Sequence, residues 1–310
     1  MSARPTVALT GASGFVGTRL ADHLLAAGHR VRALSRTRGR CPSHPELEEI
    51  HGSLETPEAL SELVAGSDCL IHLAAAIGGR NRQDFERVNA IGTRRLIEAA
   101  ERENPGCRLI HVSSLAARAP ELSHYAHSKR AAEQLVESSH LDWLILRPPA
   151  VYGATDPALA PLWQALAKGW LIQIGPRRAR FSMLHVDDLC AAIVSLTSHR
   201  WPNQRKLCLD DGRSGGYGWA DLSTLASRLR GRRIRTLRLP SFILAGAALG
   251  NLAVSRWKGH PPLLTPGKVR ELTHPDWVCG DNAAGLLPDW RPKRPFEVAL
   301  VELPGWSKRS

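Results

Sequence analysis

A tyrosine and a lysine four positions apart, Tyr125 and Lys129, are the residues of this sequence best suited to proton transfer. On a helix this spacing places both side chains on one face, one turn apart. A phenol, with an ordinary pKa of about 10, is a poor acid–base catalyst at neutral pH. An ammonium held ~4 Å away contributes roughly 4 kcal/mol at an effective dielectric constant of about 20, which lowers the phenol pKa by at most about 3. The pair therefore predicts a tyrosine catalyst activated by a lysine.

The start of the chain carries the pattern of a nucleotide-binding βαβ unit. Residues 6–9 predict a first strand and residues 31–34 a second, with apolar residues at helical spacing between them. Three glycines, Gly11, Gly14 and Gly17, stand where a pyrophosphate would meet the amides of a helix N-terminus. A glycine triplet alone also fits an ordinary tight turn, but the strand before it and the helix after it favour a dinucleotide site.

The residues after the second strand bear on the choice of cofactor. NAD sites usually place a carboxylate about 20 residues beyond the glycines, where it hydrogen-bonds the ribose hydroxyls. Here residues 35–38 read SRTR, and no carboxylate lies between Asp22 and Glu46. A guanidinium at Arg36 suits a 2′-phosphate, so the sequence favours NADP over NAD. In the alternative interpretation, Arg36 and Arg38 are solvated loop charges.

Further motifs follow in order along the chain. They are residues 72–75 (HLAA), Asn89 with Gly92 and Thr93, Ser113-Ser114, residues 125–129 (YAHSK), 147–153 (RPPAVYG) and 185–188 (HVDD). Together with the glycine turn, they resemble the extended branch of the short-chain dehydrogenase/reductase superfamily over roughly the first 210 residues. The chain looks nearer to the hydroxysteroid-dehydrogenase and ketone-reductase-like members. The resemblance implies an α/β fold, a doubly wound parallel sheet (Rossmann) with a smaller, mostly helical C-terminal substrate lobe.

The resemblance also implies domain boundaries. Residues 1–153 would form the dinucleotide-binding domain, to which residues 187–212 return, while residues 154–186 and 213–310 would form the substrate lobe. We expect a helix over 156–168, a strand over 181–186, a helix capped by Asp187 and Asp188, and a last parallel strand over 206–209. From Gly215 onward the pattern predicts helices and loops.

Carried over by position, the resemblance implies a catalytic serine, tyrosine and lysine. Tyr125 would be the acid/base, and Lys129 would bind the nicotinamide ribose and lower the tyrosine pKa. Ser114 would hydrogen-bond the substrate oxygen, with Ser113 as the alternative. The implied cofactor-binding positions are Gly11, Ser13, Gly14, Phe15, Val16, Gly17, Arg36, Leu73, Ala74, Ala75, Asn89, Tyr125, Lys129 and Pro148. No metal is expected.

The C-terminal lobe bears on the substrate class. Residues 240–255 (PSFILAGAALGNLAVS) form an apolar stretch, and residues 261–266 (PPLLTP) follow it closely. These segments resemble those of the hydroxysteroid-dehydrogenase and ketone-reductase relatives. The resemblance implies an NAD(P)-dependent oxidoreductase that interconverts a secondary alcohol and a ketone on a largely apolar, sterol- or lipid-like substrate. Residues 177–180 (RRAR) keep a nucleotide-diphosphate-sugar epimerase or reductase open as an alternative. The third functional hypothesis is a non-catalytic NADP-binding regulator or assembly factor. Dehydration is not expected, because Leu115 and Ala116 stand where dehydratases of this branch carry an acidic pair.

The apolar stretch itself is too short to span a bilayer and permits three roles. It would be a buried helix, the wall of an apolar substrate pocket, or an interfacial helix that makes peripheral membrane contact through residues 240–258.

Composition limits the remaining partners. The net charge is +12, but the arginine clusters lie in different elements without an aromatic stacking array, so we expect a small-molecule substrate and no nucleic acid. Six cysteines without metal spacing indicate a reducing compartment, and the N-terminus carries no secretory pattern, so we expect a cytoplasmic location. By analogy with the branch, residues 84–103 and 125–139 would form the helices of a homodimer interface.

Overall fold

The structure, a computed structural model, describes residues 4–198, 203–258, 262, 264–280, 287 and 290–306. The strands are β1 (Thr6–Thr10), β2 (Arg30–Ser35), β3 (Leu47–His51), β4 (Cys69–His72), β5 (Arg108–Val112), β6 (Asp142–Arg147), β7 (Ala150–Tyr152), β8 (Trp170–Ile174), β9 (Arg180–Phe181), β10 (Met183–His185), β11 (Arg205–Cys208), β12 (Tyr217–Gly218), β13 (Arg235–Leu239) and β14 (Asp276–Trp277). The α-helices are α1 (Phe15–Ala26), α2 (Pro57–Val64), α3 (Arg82–Glu86), α4 (Gly92–Glu103), α5 (His124–Glu137), α6 (Ala160–Lys168), α7 (Val186–Ser198), α8 (Trp219–Arg230), α9 (Ser241–Lys258), α10 (Pro266–Thr273) and α11 (Phe296–Ala299). A π-helical turn, Arg87–Ile91, joins α3 to α4, and 3-10 turns lie at Leu115–Arg118 and Leu300–Glu302.

Seven parallel strands form the central sheet, in the order β11-β6-β5-β4-β1-β2-β3. All four residues of β4 are buried, as expected of a strand covered by helices on both faces. One apolar cluster packs α1 and α7 against one face of the sheet, and a second packs α2 and α4 against the other. The predicted doubly wound Rossmann fold is confirmed.

The strand order reverses at β1, which pairs with β2 on one side and with β4 on the other. In such a sheet the crevice for a ligand opens at the carboxyl ends of the strands beside the reversal. The residues that end β1, β4 and β5 are Thr10, His72 and Val112. The predicted glycine turn and the Ser113-Ser114 pair directly follow β1 and β5, and the HLAA segment begins at the last residue of β4, so the topology brings all three to one edge.

A third apolar cluster, rich in aromatic rings, builds the C-terminal lobe. Tyr152, Trp163 and Phe296 are buried, and their ring centroids lie 5.4–6.1 Å apart. Three small sheets, β10-β7, β12-β9-β14 and β13-β8, lie outside the central sheet. The division of the chain into a cofactor domain and a substrate lobe stays a prediction.

Two expectations about strands in this region are wrong. The strand expected over 181–186 is divided, because β9 pairs with β12 and β14 whereas β10 pairs with β7. Ser182 lies between the two pieces and donates a hydrogen bond to the Asp210 carboxylate (2.7 Å), and Val186 already belongs to α7. The stretch after Gly215, expected to hold helices and loops, also contains β12, β13 and β14.

Two expectations about helix starts also need correction. α6 begins at Ala160, because the Asp156 carboxylate accepts hydrogen bonds from two following backbone amides (2.9 and 3.1 Å) and holds a turn there. α7 begins at Val186, before the expected caps. Asp187 instead accepts a hydrogen bond from Arg19 (2.6 Å), and Asp188 accepts from the backbone amides of residues 293 and 294 (2.9 Å each). These two carboxylates fasten distant segments to α7.

Candidate active site

The glycine turn between β1 and α1 has the shape that a dinucleotide needs. Gly11 has a φ of +76°, and a Cβ atom there would lie 2.7 Å from the Ala74 nitrogen. A Cβ atom at Gly17 would lie 2.0 Å from the Gly11 carbonyl oxygen, so glycine alone lets α1 approach the turn. Gly14 donates its amide to the same carbonyl (3.0 Å), and the amides that open α1 have no intrahelical acceptor. An anionic pyrophosphate therefore fits this turn.

The neighbouring cofactor positions lie along the same edge of the sheet. They are Ser13, Phe15 and Val16 at the start of α1, and Leu73, Ala74 and Ala75 after β4. The Leu73 amide donates to the Thr10 carbonyl (3.3 Å), and the Ala74 amide donates to the Thr10 hydroxyl (3.2 Å). These two bonds hold the segment after β4 against the glycine turn.

A buried imidazole reinforces this edge. His72 Nδ1 lies 2.7 Å from the Thr10 hydroxyl oxygen, and Nε2 lies 2.8 Å from the Thr93 hydroxyl oxygen. Burial, followed by the charge of Lys129, lowers the pKa of His72 to about 3, so the ring is neutral at physiological pH. His72 thus links β1, β4 and α4 and is a structural residue.

Asn89 lies in the π-helical turn, and its amide is fully engaged by protein groups. Its Oδ1 accepts from the Ala76 amide (2.7 Å), and its Nδ2 donates to the Ala76 carbonyl (3.0 Å) and the Ser128 hydroxyl (2.9 Å). Ser128 in turn donates to the Tyr125 carbonyl (2.8 Å). The structure therefore supports a role for Asn89 in positioning α5 beside the segment after β4, and its contact with the cofactor stays a prediction.

The two candidate serines have different partners. The Ser113 hydroxyl donates to the buried Glu133 carboxylate (2.6 Å). The half-buried Ser114 hydroxyl accepts from the Ala116 amide (3.2 Å) and lies close enough to the Tyr125 phenol to oppose the rise of its pKa. Pro148, another predicted position, is buried and its carbonyl accepts from the Leu115 amide (2.9 Å), which fixes the turn that carries Ser114. Ser114 and Tyr125 are thus the hydroxyl pair available to a substrate oxygen.

The lysine does not have the expected effect on the tyrosine. Burial raises the pKa of Tyr125 to about 12; the hydrogen bond with Ser114 opposes that rise, and the nearby Glu271 carboxylate adds to it. Lys129 is buried, and its ammonium donates to the Val112 carbonyl (2.9 Å). Burial lowers the pKa of Lys129 to about 8, opposed by the charge of Glu133. The tyrosine therefore keeps its proton at neutral pH, and the expected lowering of its pKa by Lys129 is not found.

Tyr125 opens onto a cavity of about 280 Å³ between α5 and the C-terminal lobe. Its apolar lining includes Ile77, Phe85 and Leu252. Its polar lining includes Lys268, whose ammonium lies 5.8 Å from the Tyr125 ring centroid and 2.8 Å from a Glu271 carboxylate oxygen. Glu271 is buried and accepts a short hydrogen bond from Ser123. Arg80 and Arg270 also line the cavity, which therefore combines an apolar wall with several charged side chains beside the phenol.

Arg36 lies on the loop after β2, exposed to solvent. The carboxylate nearest to this loop is Glu49 on β3, which accepts from the Gly39 amide (2.7 Å) and the Arg40 amide (3.3 Å). These bonds, the Gly39 bond foremost, lower the pKa of Glu49. The Glu49 carboxylate is thus hydrogen-bonded to the loop backbone. The arginine side chains of the loop, Arg36 among them, are the charged groups at the end of β2.

The three arginines considered for a sugar diphosphate are dispersed. Arg180 donates to the carbonyl oxygens of Gly215 (2.8 Å) and Gly216 (2.7 Å) and pairs with Asp221 (3.2 Å). Arg177 lines a separate groove of about 380 Å³. Neither Arg177, Arg178 nor Arg180 lines the cavity at Tyr125 within the described part of the chain.

Sequence reasoning missed three charged residues of this region. Glu133 stands four positions after Lys129 on α5, so helical spacing alone could have found it. Lys268 and Glu271 come from α10, far along the chain, and no local signal connects them to Tyr125.

Comparison with known proteins gives a consistent result. Residues 7–206 match the family described as the NAD dependent epimerase/dehydratase family. A ceramide reductase of Caulobacter vibrioides is 40% identical over 283 residues, which cover 89% of this chain and 86% of the relative. A 4-hydroxy-2-methyl-3-oxo-4-farnesyl-3,4-dihydroquinoline-1-oxide ketoreductase of Stigmatella aurantiaca is 30% identical over 277 residues, covering 82% of this chain and 81% of the relative.

Solved structures agree on the fold. MoeE5 in complex with UDP-glucuronic acid and NAD superimposes with a TM-score of 0.73 at 22% identity, with 99% of each chain covered. A UDP-glucuronic acid 4-epimerase from Bacillus cereus gives the same TM-score and coverage at 19% identity. At these identities the likeness concerns the fold alone.

Proposed function

This chain belongs to the NAD dependent epimerase/dehydratase family and is a nicotinamide-dinucleotide-dependent oxidoreductase, and on that premise we propose that it reduces a ketone on a long-chain lipid with NADPH. The observation that carries the proposal is the site of Tyr125, whose phenol lies beside Ser114 and lines a cavity with an apolar wall of Ile77, Phe85 and Leu252. The similarity to a ceramide reductase and a ketoreductase supports the same substrate class. The first candidate substrate is a ceramide-like lipid that carries a ketone.

In this proposal the two hydroxyls act on the substrate carbonyl. Ser114 donates a hydrogen bond to the carbonyl oxygen and orients it. Tyr125 donates its proton to the same oxygen as negative charge develops there, and its raised pKa keeps that proton in place at neutral pH. The dinucleotide, when bound, supplies the hydride to the carbonyl carbon. Lys129, on the same face of α5, would hold the nicotinamide ribose.

The other cofactor residues have supporting roles. The amides of Ser13, Phe15 and Val16, with the glycine turn, would hold the pyrophosphate. Leu73, Ala74 and Ala75 would flank it, and Arg36 would bind the 2′-phosphate. Asn89 and Pro148 would position α5 and the turn at Ser114.

A direct assay tests the function. The purified protein is incubated with NADPH or NADH and two substrate panels, 3-oxo lipids in detergent and nucleotide-diphosphate sugars. We expect net oxidation of NADPH with a 3-oxo lipid and a product heavier by two hydrogens. A sugar converted to its epimer without net cofactor oxidation would instead support the epimerase alternative.

The choice of NADPH is tested by Arg36→Asp. Removing the guanidinium and adding a carboxylate should weaken NADPH binding by at least about tenfold, because charge-assisted bonds to the phosphate contribute roughly 1.5–3 kcal/mol. NADH binding should change little. The measurement is cofactor affinity by fluorescence titration. Arg228→Asp, the same change of charge at an exposed position of α8, is the control. Equal losses for both cofactors in Arg36→Asp would reject the assignment.

A further inference from the structure

Helix α9 is apolar on both of its sides. Its first fifteen residues, Ser241 to Ser255, include no charged side chain. On the inner side, Leu244 and Ala248 are buried against Val269 of α10. On the outer side, four large apolar residues are exposed, Phe242 (73%), Ile243 (48%), Leu249 (59%) and Val254 (50%). A helix that is apolar all round is normally enclosed by protein or by lipid, whereas the described part of the chain leaves these four side chains exposed.

The exposed apolar surface continues from α9 onto the β8–β13 sheet. Ile174 and Leu239, paired in register, pack against the inner cluster of α9. Because alternate residues of a strand share a face, Leu237 and Trp170 point to the same side of that sheet. Both are exposed, by 49% and 43%. We call Trp170, Leu237, Phe242, Ile243, Leu249 and Val254 the α9 face.

The charge around the α9 face is positive. Residues 222–270 contain eight arginines and two lysines but no aspartate or glutamate, so this stretch accounts for most of the net charge of +12. Arg232, Arg233, Arg235 and Arg238 are exposed immediately before α9. Arg235 lies over the exposed Trp170 ring, 5.5 Å from its centroid. A tryptophan and arginines at the border of an apolar face are typical of contact with a membrane interface.

We propose that the α9 face docks on an anionic lipid bilayer, with its apolar residues in the interface and its arginines at the headgroups. Among the described residues, no helix is both long and apolar enough to cross a membrane, so α9 would lie along the surface. Leu252, on the side of α9 away from the outer residues, lines the cavity at Tyr125. Docking would thus place that cavity across α9 from the bilayer, about 10 Å away, so that a lipid ketone enters it past α9. This last step rests on the proposed function, whereas docking does not.

The test is co-sedimentation with vesicles. Phosphatidylglycerol/phosphatidylcholine vesicles should bind the protein, and phosphatidylcholine vesicles should bind it far less. Phe242→Ser with Leu249→Ser should lower the partition coefficient by at least about tenfold, because two exposed apolar side chains lose their burial in lipid. Arg235→Gln should lower it about fivefold. Val298→Ser with Val301→Ser, which removes two exposed apolar side chains elsewhere, is the control.

Several results would overturn docking. One is equal binding to both kinds of vesicle, and another is a double α9 variant that binds as the valine control does. Light scattering tests whether a second copy of the chain covers the α9 face instead. This would be the conclusion if the unmodified protein is a dimer that does not bind vesicles and the Phe242→Ser, Leu249→Ser variant is a monomer. The substituted side chains are exposed, so unchanged melting temperatures should verify that the variants are folded.

Activity separates docking from the proposed function. The Phe242→Ser, Leu249→Ser protein should reduce a short-chain, water-soluble 3-oxo amide as fast as the unmodified protein, and should lose most of its activity on the vesicle-bound lipid. Vesicle binding without reduction of either substrate would reject the proposed function and leave docking supported. An equal loss of activity on the soluble amide and on the vesicle-bound lipid would reject the proposal that the lipid substrate enters the cavity from the bilayer.

Discussion

Tyr125→Phe should lower kcat for ketone reduction by about 10²–10⁴-fold, the usual range for a general acid. The substitution removes the proton donor and keeps the ring, so the edge contact with Phe85 (6.3 Å between centroids) should persist. The substrate carbonyl would retain the Ser114 hydrogen bond but receive no proton as charge develops. Cofactor affinity should change little, because the phenol contributes chiefly to the chemical step. Steady-state and single-turnover kinetics measure the effect.

Tyr152→Phe is the matched control. Tyr152 is buried in the aromatic cluster, and its hydroxyl donates to the Arg294 carbonyl (3.2 Å), away from the cavity at Tyr125. Its loss should cost about 1 kcal/mol of stability and leave kcat nearly unchanged. If Tyr125→Phe behaves as Tyr152→Phe does, Tyr125 is not the acid.

Glu133→Ala should lower the free energy of unfolding by about 3–5 kcal/mol at pH 7, because it leaves a largely buried arginine without its partner. Glu133 has no exposed surface. Arg147 binds both of its carboxylate oxygens (2.8 and 2.5 Å), Ser113 donates to one (2.6 Å) and Arg130 to the other (3.0 Å). The network ties α5 to the ends of β5 and β6. Urea denaturation measures the loss.

Glu137→Ala, on the same helix, is the control. Glu137 pairs with Arg130 (2.7 Å) and Lys206 (2.9 Å), but its side chain is 28% exposed, so its loss should cost at most about 1 kcal/mol. A similar small loss for both variants would contradict the role assigned to the Glu133 network.

The stability conferred by Glu133 should also depend on pH. Burial tends to raise the pKa of this carboxyl, but the bonds from Arg147 and Ser113 outweigh burial and hold it below its ordinary value. A carboxylate with a lowered pKa stabilises the fold above its unfolded pKa of about 4.3, and that contribution is lost as pH falls through the folded value. The difference in unfolding free energy between the unmodified protein and Glu133→Ala should therefore shrink below about pH 4.

The local sequence pattern was sufficient to predict an element whose burial is visible in its own residues. The strand predicted over residues 6–9 is β1 (Thr6–Thr10), because a strand buried on both faces is a short apolar run. The local pattern did not predict a strand that forms only because a distant segment pairs with it. The sequence RTLRL of β13 has the exposure and charge of a loop, and it is a strand because β8 offers a parallel partner.

The sequence by itself determined the glycine turn, the order of the Rossmann elements and the identity of the hydroxyl and ammonium groups near the site, because each depends on spacing along one or two elements. Tertiary structure alone decided how those groups behave. Glu133 engages Ser113, which leaves Ser114 as the partner of Tyr125. Burial and Glu271, from a distant helix, raise the tyrosine pKa that the lysine spacing was expected to lower. The reason is physical: spacing fixes which side chains share a helix face, whereas the pKa of a buried group depends on solvent exclusion and on charges that distant parts of the chain bring to it.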